Sequence, residues 1–342
     1  RAMNFSLSED QALFRATVER FAGTGDVERR KISRRSPGGV DRQRWAEMAG
    51  IGLLAIDDRI DCTVIAETLG ISVAVEPWLE CGYFPLQLLH NELHAADVAD
   101  GSVVAAVAFA EPGRRYALEP HNMRASQHNS GWTLSGAKTF VLGGAAADLF
   151  LVTAATEAGS ALFSVEREHI DARHYAVIDG GLAADFTLRQ APASMISNAI
   201  WSDAVADTRL MAAAETVGLA SRLFDETLDY VRQREQFGQA IGGFQAVQHR
   251  LVDCYTMLEQ MRSSLWRAAL ADRSTGWHAN MAGAKAFICE RAIHIGHEAI
   301  QLHGGMGVTD ELVIGHAHKR ILLLSKFFGD PASELACFAE AA

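Results

Sequence analysis

The sequence predicts an α+β fold in three segments: an N-terminal helical domain over 1–100, a small central β domain over 101–195 and a C-terminal helical bundle domain over 196–342. Three observations lead there. The helical period of the first hundred residues stops at Gly101, apolar runs of strand length follow, and from Ala199 the helical period returns and persists. Helices, then strands, then helices, with no alternating βαβ units, disfavour a doubly wound sheet.

In the first segment, Leu7, Ala12, Leu13, Ala16 and Val18 form a broken helical stripe, with Ser8-Glu9-Asp10 as its acidic first turn. A charged, glycine-bearing stretch from Gly23 to Gly39 interrupts the pattern. A second helix is expected over Val40 to Leu54 and a third over Cys62 to Val75, and Pro77 and Pro85 bracket a change of direction before Leu86 to Leu93. In the middle segment Ser102 to Ala110 is apolar, and Glu111-Pro112-Gly113 is a turn. Trp132 to Gly136 followed by Thr139 to Leu142 reads as strand, turn, strand. Leu149 to Thr153, Ala161 to Val165 and Phe186 to Leu188 also have strand length. The last segment offers Leu210 to Val231, Ala246 to Ser274 and Asn280 to Leu302 as long helices, with a final one over Asp310 to Phe328.

Composition narrows the functional classes. A chain of 342 residues can hold one large core or two or three packed subdomains. Its formal net charge of -11 speaks against a general nucleic-acid or anionic-membrane binder, because phosphates would be repelled except at a local basic patch. The five cysteines, Cys62, Cys81, Cys254, Cys289 and Cys337, form no CxxC pair and read as reduced, mostly buried thiols. Arg1 to Phe5 carries no long apolar run after its charge, and no stretch reaches the ~20 apolar residues of a membrane span, so a cytoplasmic protein is expected.

Two local motifs stand out. The first is Arg232-Gln233-Arg234-Glu235-Gln236-Phe237-Gly238, followed by Ile241, Phe244, Gln245 and His249. An Arg near a helix end with Gly beyond it is also ordinary capping chemistry. The second is Gln301-Leu302-His303-Gly304-Gly305-Met306-Gly307, where three glycines allow close backbone approach to a ligand such as a dinucleotide phosphate, or simply a helix stop and reversal. It follows a helix rather than a strand, so it is not a Rossmann fingerprint. His294, His297, His316 and His318 lack a metal-ligand pattern and read as a polar, solvated face. Trp132, Trp201 and Trp266 read as packing residues. No nucleophile elbow or Walker sequence is present.

Together, the two motifs resemble the flavin-contacting arm and the second FAD signature of acyl-CoA dehydrogenases, the latter running through Val308-Thr309-Asp310-Glu311. Ala110-Glu111-Pro112-Gly113 and the Trp132 to Phe140 segment match the family's β domain. Order and spacing agree over most of the chain, whereas the N-terminal third is shortened. The resemblance implies a helical domain, a β domain and a four-helix bundle, and α,β-dehydrogenation of an acyl-CoA. In that reaction a Glu removes the α proton and hydride passes to the flavin.

The family places that Glu at one of two positions. One lies about seventeen residues past Glu311, where this chain has Phe328; the other falls on Thr208, beside Arg209. Neither side chain is a carboxylate, and neighbouring Asp207 points about 100° away around a helix. The family's Glu-Pro-Gly-x-Gly-Ser becomes Glu111-Pro112-Gly113-Arg114-Arg115-Tyr116, and its Trp-x-Thr becomes Phe140-Val141-Leu142, which lacks the hydroxyl. By the same resemblance, Arg234, Gln236, Phe237, Gln245, Gln301, Gly304, Gly305 and Gly307 are the cofactor-binding set. Within it, Arg234, Gln236, Phe237, Gln301 and Gly305 match residues that reach into a neighbouring subunit's FAD.

The resemblance therefore implies the base-lacking member of a two-plus-two heterotetramer, like those that handle steroid side-chain thioesters. Its FAD would be shared with a homologous catalytic subunit, the acyl-CoA would lie in that partner's site, and a separate acceptor would take the electrons. Two other readings stay open: an independent homomeric enzyme with Asp207 or another unconventional residue as base, and a non-redox binding or scaffold protein on the same fold.

Overall fold

A computed structural model describes residues 7–23, 27–90, 92–128, 131–197 and 199–340. The segment Arg1 to Phe5 lies outside them. Eleven α-helices appear among the described residues: α1 Glu9–Ala22, α2 Val27–Arg35, α3 Arg42–Gly50, α4 Arg59–Ile71, α5 Phe84–Leu88, α6 Ala95–Ala99, α7 Trp201–Gln233, α8 Gln245–Ala269, α9 Trp277–His303, α10 Val313–Leu324 and α11 Pro331–Glu340. The strands are β1 Ala105–Ala108, β2 Arg124–His128, β3 Gly131–Leu142, β4 Leu149–Thr156, β5 Gly159–Glu166, β6 Ala172–Ala176, β7 Leu182–Ile196, β8 Glu235–Gln236 and β9 Gln239–Ala240. This is the expected succession of N-terminal helices, a central sheet and a C-terminal bundle. The chain forms two compact units, one of Arg1–Arg30, Asp57–Ala74 and Arg209–Ala342, the other of Lys31–Ile56 and Val75–Thr208.

In the first unit, α1 starts where expected because Ser8 and Gln11 form a reciprocal capping box. Asp58 caps α4 by accepting from the N–H groups of Ile60 and Asp61. Helix α4 crosses α7 in backbone contact: a Cβ at Gly70 would stand 2.2 Å from the Glu215 carbonyl oxygen, and one at Gly218 would stand 2.0 Å from that of Glu67. Only glycine fits this crossing. In α8, Leu251, Cys254, Leu258, Met261 and Leu265 are buried, alternating steps of three and four residues, which is the seam of a bundle helix.

The second unit is built on a sheet ordered β1-β4-β2-β3-β7-β5, with β5 also pairing β4, so that the β4, β2, β3, β7 and β5 ring closes on itself. Phe150, Phe163, Phe186, Val152 and Leu188 fill it. Trp132 packs on Phe163 at 5.3 Å, and Trp201 on Phe84 and Phe109 at 5.8 and 6.0 Å, the packing roles expected of them. Cys62, Cys81, Cys254 and Cys289 are buried, reduced thiols and Cys337 is exposed.

Five sequence expectations change. The stretch from Gly23 to Gly39 contains α2 rather than a continuous break. Its polarity hides a helix whose Arg30 side chain bonds the Val73 carbonyl. The supposed strand–turn–strand is one strand, β3, with register shifts at Leu134/Gly136 and Lys138/Val141. Gly136 marks close approach, since its Cβ would lie 2.7 Å from Met123 Cα. Pro85 sits in the first turn of α5, where a missing N–H costs nothing, following a π-helical turn over Trp78–Tyr83. The last helix is shorter than Asp310 to Phe328, and α11 follows it. Finally, β2 and β6 carry no apolar alternation and were not anticipated.

Candidate functional site

The first motif forms a two-residue hairpin at the end of α7. Glu235 pairs with Ala240 and Gln236 with Gln239, leaving Phe237 and Gly238 to turn the chain at φ 55° and 83°. Both central residues are left-handed, the conformation that matches the twist of a tight hairpin, and Phe237 adopts it without glycine's freedom. Its ring is 92% exposed and meets Phe244 edge-on at 6.2 Å. Arg234, Gln236 and Gln245 are also exposed. A large apolar ring thus stands in solvent on a left-handed turn, beside an exposed guanidinium and two exposed amides.

The second motif caps α9. Gly304 turns at φ 61°, and a Cβ on either Gly304 or Gly305 would meet nothing within 4 Å. These two glycines leave their backbone open to solvent, as close approach by a phosphate requires. Gly307 differs: its Cβ would come within 2.9 Å of the Ile300 carbonyl oxygen, so it lets the loop fold back. Gln301 is exposed and His303 buried. The Tyr230 and His303 rings stack at 4.3 Å, so both motifs sit at one end of the bundle. The exposed cation, amides and bare backbone there fit the adenosine and pyrophosphate part of an FAD.

The positions where a base was sought are closed. Phe328 is 3% exposed, takes φ 65° and stacks on Phe327 at 4.2 Å. Arg209 lies 5.9 Å over its ring. Beneath the turn, Lys285 Nζ donates to the Gly329 carbonyl at 2.8 Å and pairs with Glu334 at 3.4 Å, while Arg209 Nε reaches Glu334 at 2.8 Å. Thr208 spends its hydroxyl on the Ala204 carbonyl at 2.7 Å. Asp207 is buried.

The β-domain half does not fit an isoalloxazine. Leu142 is buried and offers no hydroxyl near a flavin nitrogen. Where a small Gly-Ser turn would be needed, the Arg115 guanidinium lies 4.7 Å over the Tyr116 ring and donates to its hydroxyl at 3.0 Å, with Tyr116 at φ 60°. Glu111 faces the interior: it accepts from the N–H groups of His121, Asn122 and Met123 and pairs with Lys138 at 3.3 Å. Burial pulls Lys138 down to about 8 against the opposing pull of Glu111. Burial pushes Glu111 up, but its N–H donors and Lys138 outweigh that and hold it below the ordinary carboxylate range.

Three further features bear on the search. His294 and His297 are exposed as expected, but His316 and His318 are buried, and burial beside His297 lowers His318 to about 4. No group of three or more His, Cys, Asp or Glu among the described residues could hold a metal ion. A cavity of about 1190 Å³ lies on the far halves of α8 and α9 beside α11, lined by residues such as Tyr255, Arg267, Phe287 and Leu335, and includes no residue of either motif. Sequence reasoning missed Tyr230, Lys285, Glu334 and Lys138, whose partners lie far away along the chain.

Residues 199–342 match the family described as acyl-CoA dehydrogenase, C-terminal domain. An L-prolyl-[peptidyl-carrier protein] dehydrogenase of Serratia sp. is 30% identical over 243 residues, which span 65% of this chain but only 62% of that protein. Among solved structures, a variant of the Tcur3481-Tcur3483 steroid ACAD superposes with TM-score 0.90 at 27% identity, covering 98% of both chains. The ChsE4-ChsE5 complex from Mycobacterium tuberculosis superposes with TM-score 0.89 at 22% identity over 99% of this chain and 98% of that one, a likeness of fold. Among the described residues, no helix is long and apolar enough to cross a membrane.

Proposed function

We propose that this chain, whose residues 199–342 match the acyl-CoA dehydrogenase C-terminal domain and which superposes on a steroid ACAD over 98% of both chains, is an acyl-CoA dehydrogenase relative serving as the non-catalytic subunit of a heteromeric, FAD-dependent acyl-CoA dehydrogenase. In this reading it completes the adenosine and pyrophosphate part of a homologous catalytic partner's flavin site, in a two-plus-two assembly. One observation carries the reading: the motif residues that fit a dinucleotide are exposed, while both base positions are buried and hold Phe328 and Thr208. A decayed enzyme would have no reason to keep Phe237 standing 92% exposed on a strained turn.

FAD, when bound, supplies the two-electron acceptor for the dehydrogenation. The residues of this chain hold and orient. Arg234 pairs with the pyrophosphate, a charge-assisted contact of about 1.5–3 kcal/mol. Gly304 and Gly305 admit it to the backbone, and Gln236, Gln245 and Gln301 supply amide hydrogen bonds. Phe237 gains roughly 1.5–3 kcal/mol on being covered. No proton moves to this chain, because neither Phe328 nor Thr208 can accept one; the partner carries the base, the acyl-CoA and the route to an electron acceptor.

The steroid side-chain thioester is favoured by the likeness to a steroid dehydrogenase at 27% identity over nearly the whole length. A second thioester class, on a carrier protein, is favoured by the name of the 30% identical relative. The two are separated by assaying the complex with each thioester.

The central test purifies the chain alone and together with a homologous catalytic subunit and reads flavin by absorbance. The expected result is no flavin on the isolated chain, flavin in the complex, and a roughly tenfold or greater weakening in Arg234→Ala. Stoichiometric flavin together with acyl-CoA oxidation by this chain alone would overturn the proposal and favour Asp207 as base. A complex that never binds flavin would favour the scaffold reading.

A further inference from the structure

The two motifs lie about sixty residues apart in sequence, and a dinucleotide gripped by both requires a fixed spacing between them. The geometry of their junction is unusually direct. Tyr230 lies one helical turn before Arg234, whose N–H donates to the Tyr230 carbonyl at 2.8 Å. The Ile241 N–H then returns to the Arg234 carbonyl at 2.8 Å and closes the base of the hairpin. His303 is the last residue of α9, immediately before Gly304 and Gly305. Its Nδ1 lies 2.8 Å from the Ala299 carbonyl, so that nitrogen carries the proton and the ring orientation is fixed. The glycine loop folds back onto the same residue, since a Cβ at Gly307 would lie 3.2 Å from His303 Cβ. The two rings stack face to face at 4.3 Å with 24° between their planes.

From this we infer that Tyr230 and His303 are positioning residues for the shared flavin site: an aromatic clasp of a half-buried and a buried ring that sets the distance between the Phe237 hairpin and the glycine turn. The inference rests on the proposed flavin-completing role and deepens it. Neither residue belongs to the set that fits the cofactor. A stacked pair of flat rings restricts both sliding and tilt, whereas an aliphatic contact of the same area leaves both free. Pre-ordering the two motifs lowers the ordering cost that binding would otherwise carry. Holding Nδ1–H on Ala299 keeps the His303 ring parallel to Tyr230 instead of letting it rotate.

The test compares His303→Leu, His303→Phe, Tyr230→Leu and Arg234→Ala in the complex with its catalytic homologue. Flavin affinity is read by fluorescence, amide hydrogen exchange over 234–240 and 304–307 by mass spectrometry, and chain stability by denaturant midpoint. His303→Leu and Tyr230→Leu are expected to weaken flavin binding by up to about tenfold and to speed exchange in both segments. His303→Phe, which keeps a stacking ring but loses the Nδ1–H bond to Ala299, is expected to recover part of the affinity lost in His303→Leu. Unchanged flavin affinity in both leucine variants, with Arg234→Ala weakened, overturns the clasp and leaves the functional reading intact. Unchanged affinity in Arg234→Ala as well overturns the functional reading itself. A fall in midpoint without faster exchange in the two segments, and without recovery in His303→Phe, assigns the pair a purely structural role and also overturns the clasp.

Discussion

Glu334→Gln tests what holds the Phe328 turn in its left-handed conformation. Glu334 stands 3.4 Å from Lys285 Nζ and 2.8 Å from Arg209 Nε, with side-chain exposures of 1%, 1% and 10% respectively. Glu334 is the carboxylate that pairs with both cations. Neutralising Glu334 leaves both cations uncompensated in a low-dielectric interior, a change that costs about 3–5 kcal/mol. Lys285→Met acts differently. The Arg209–Glu334 pair survives, and the main loss is the donor to the Gly329 carbonyl, about 1–3 kcal/mol. The expected order is therefore that E334Q destabilises more than K285M. Urea denaturation gives both values from the midpoint and slope, and hydrogen exchange over 326–331 reports whether the turn itself loosens. An E334Q loss below about 1 kcal/mol, or a larger loss in K285M, would refute the electrostatic account of this turn.

Acid should weaken the first unit through His318. Its folded pKa of about 4 lies below the ordinary 6.5, so its contribution is full above 6.5 and is lost as pH falls toward 4, roughly 3 kcal/mol in all. His318→Gln should remove that part of the acid sensitivity, as measured by denaturant midpoints at neutral pH and near the acid limit. Gly38→Ala should cost more than about 1 kcal/mol, because φ is 68° and the new Cβ would stand 2.6 Å from Ala146 Cα. Phe237→Ser should leave the isolated chain's thermal midpoint unchanged, because the ring is 92% exposed. It should weaken assembly with the partner by about 1.5–3 kcal/mol, measured by titration calorimetry.

Much of the fold was legible because it is written locally. The Ser8 cap, the three- and four-residue steps along α8 and the return of helical period after Ala199 each depend on near neighbours in sequence. The glycine turn after α9 was legible for the same reason, because a helix stop with a bare backbone is a property of a few consecutive residues, whereas the motif at 234–238 read as a helix end and its hairpin pairing was not anticipated. Where local pattern and structure parted, polarity or a glycine misled. Helix α2 is too charged to show an apolar stripe, and Gly136 serves a close contact instead of a reversal.

The sequence by itself determined the order of helical and β segments, the absence of a carboxylate at Phe328 and Thr208, and the survival of the Arg234 and Gln301 motifs. Only the tertiary structure decided that Phe237 faces solvent while Phe328 is sealed over the Lys285–Glu334–Arg209 cluster, and that Tyr230 meets His303. The reason is physical. Periodicity records which side of an element is apolar, but ion pairs and ring stacks join residues brought together by long-range packing, and no spacing along the chain encodes them.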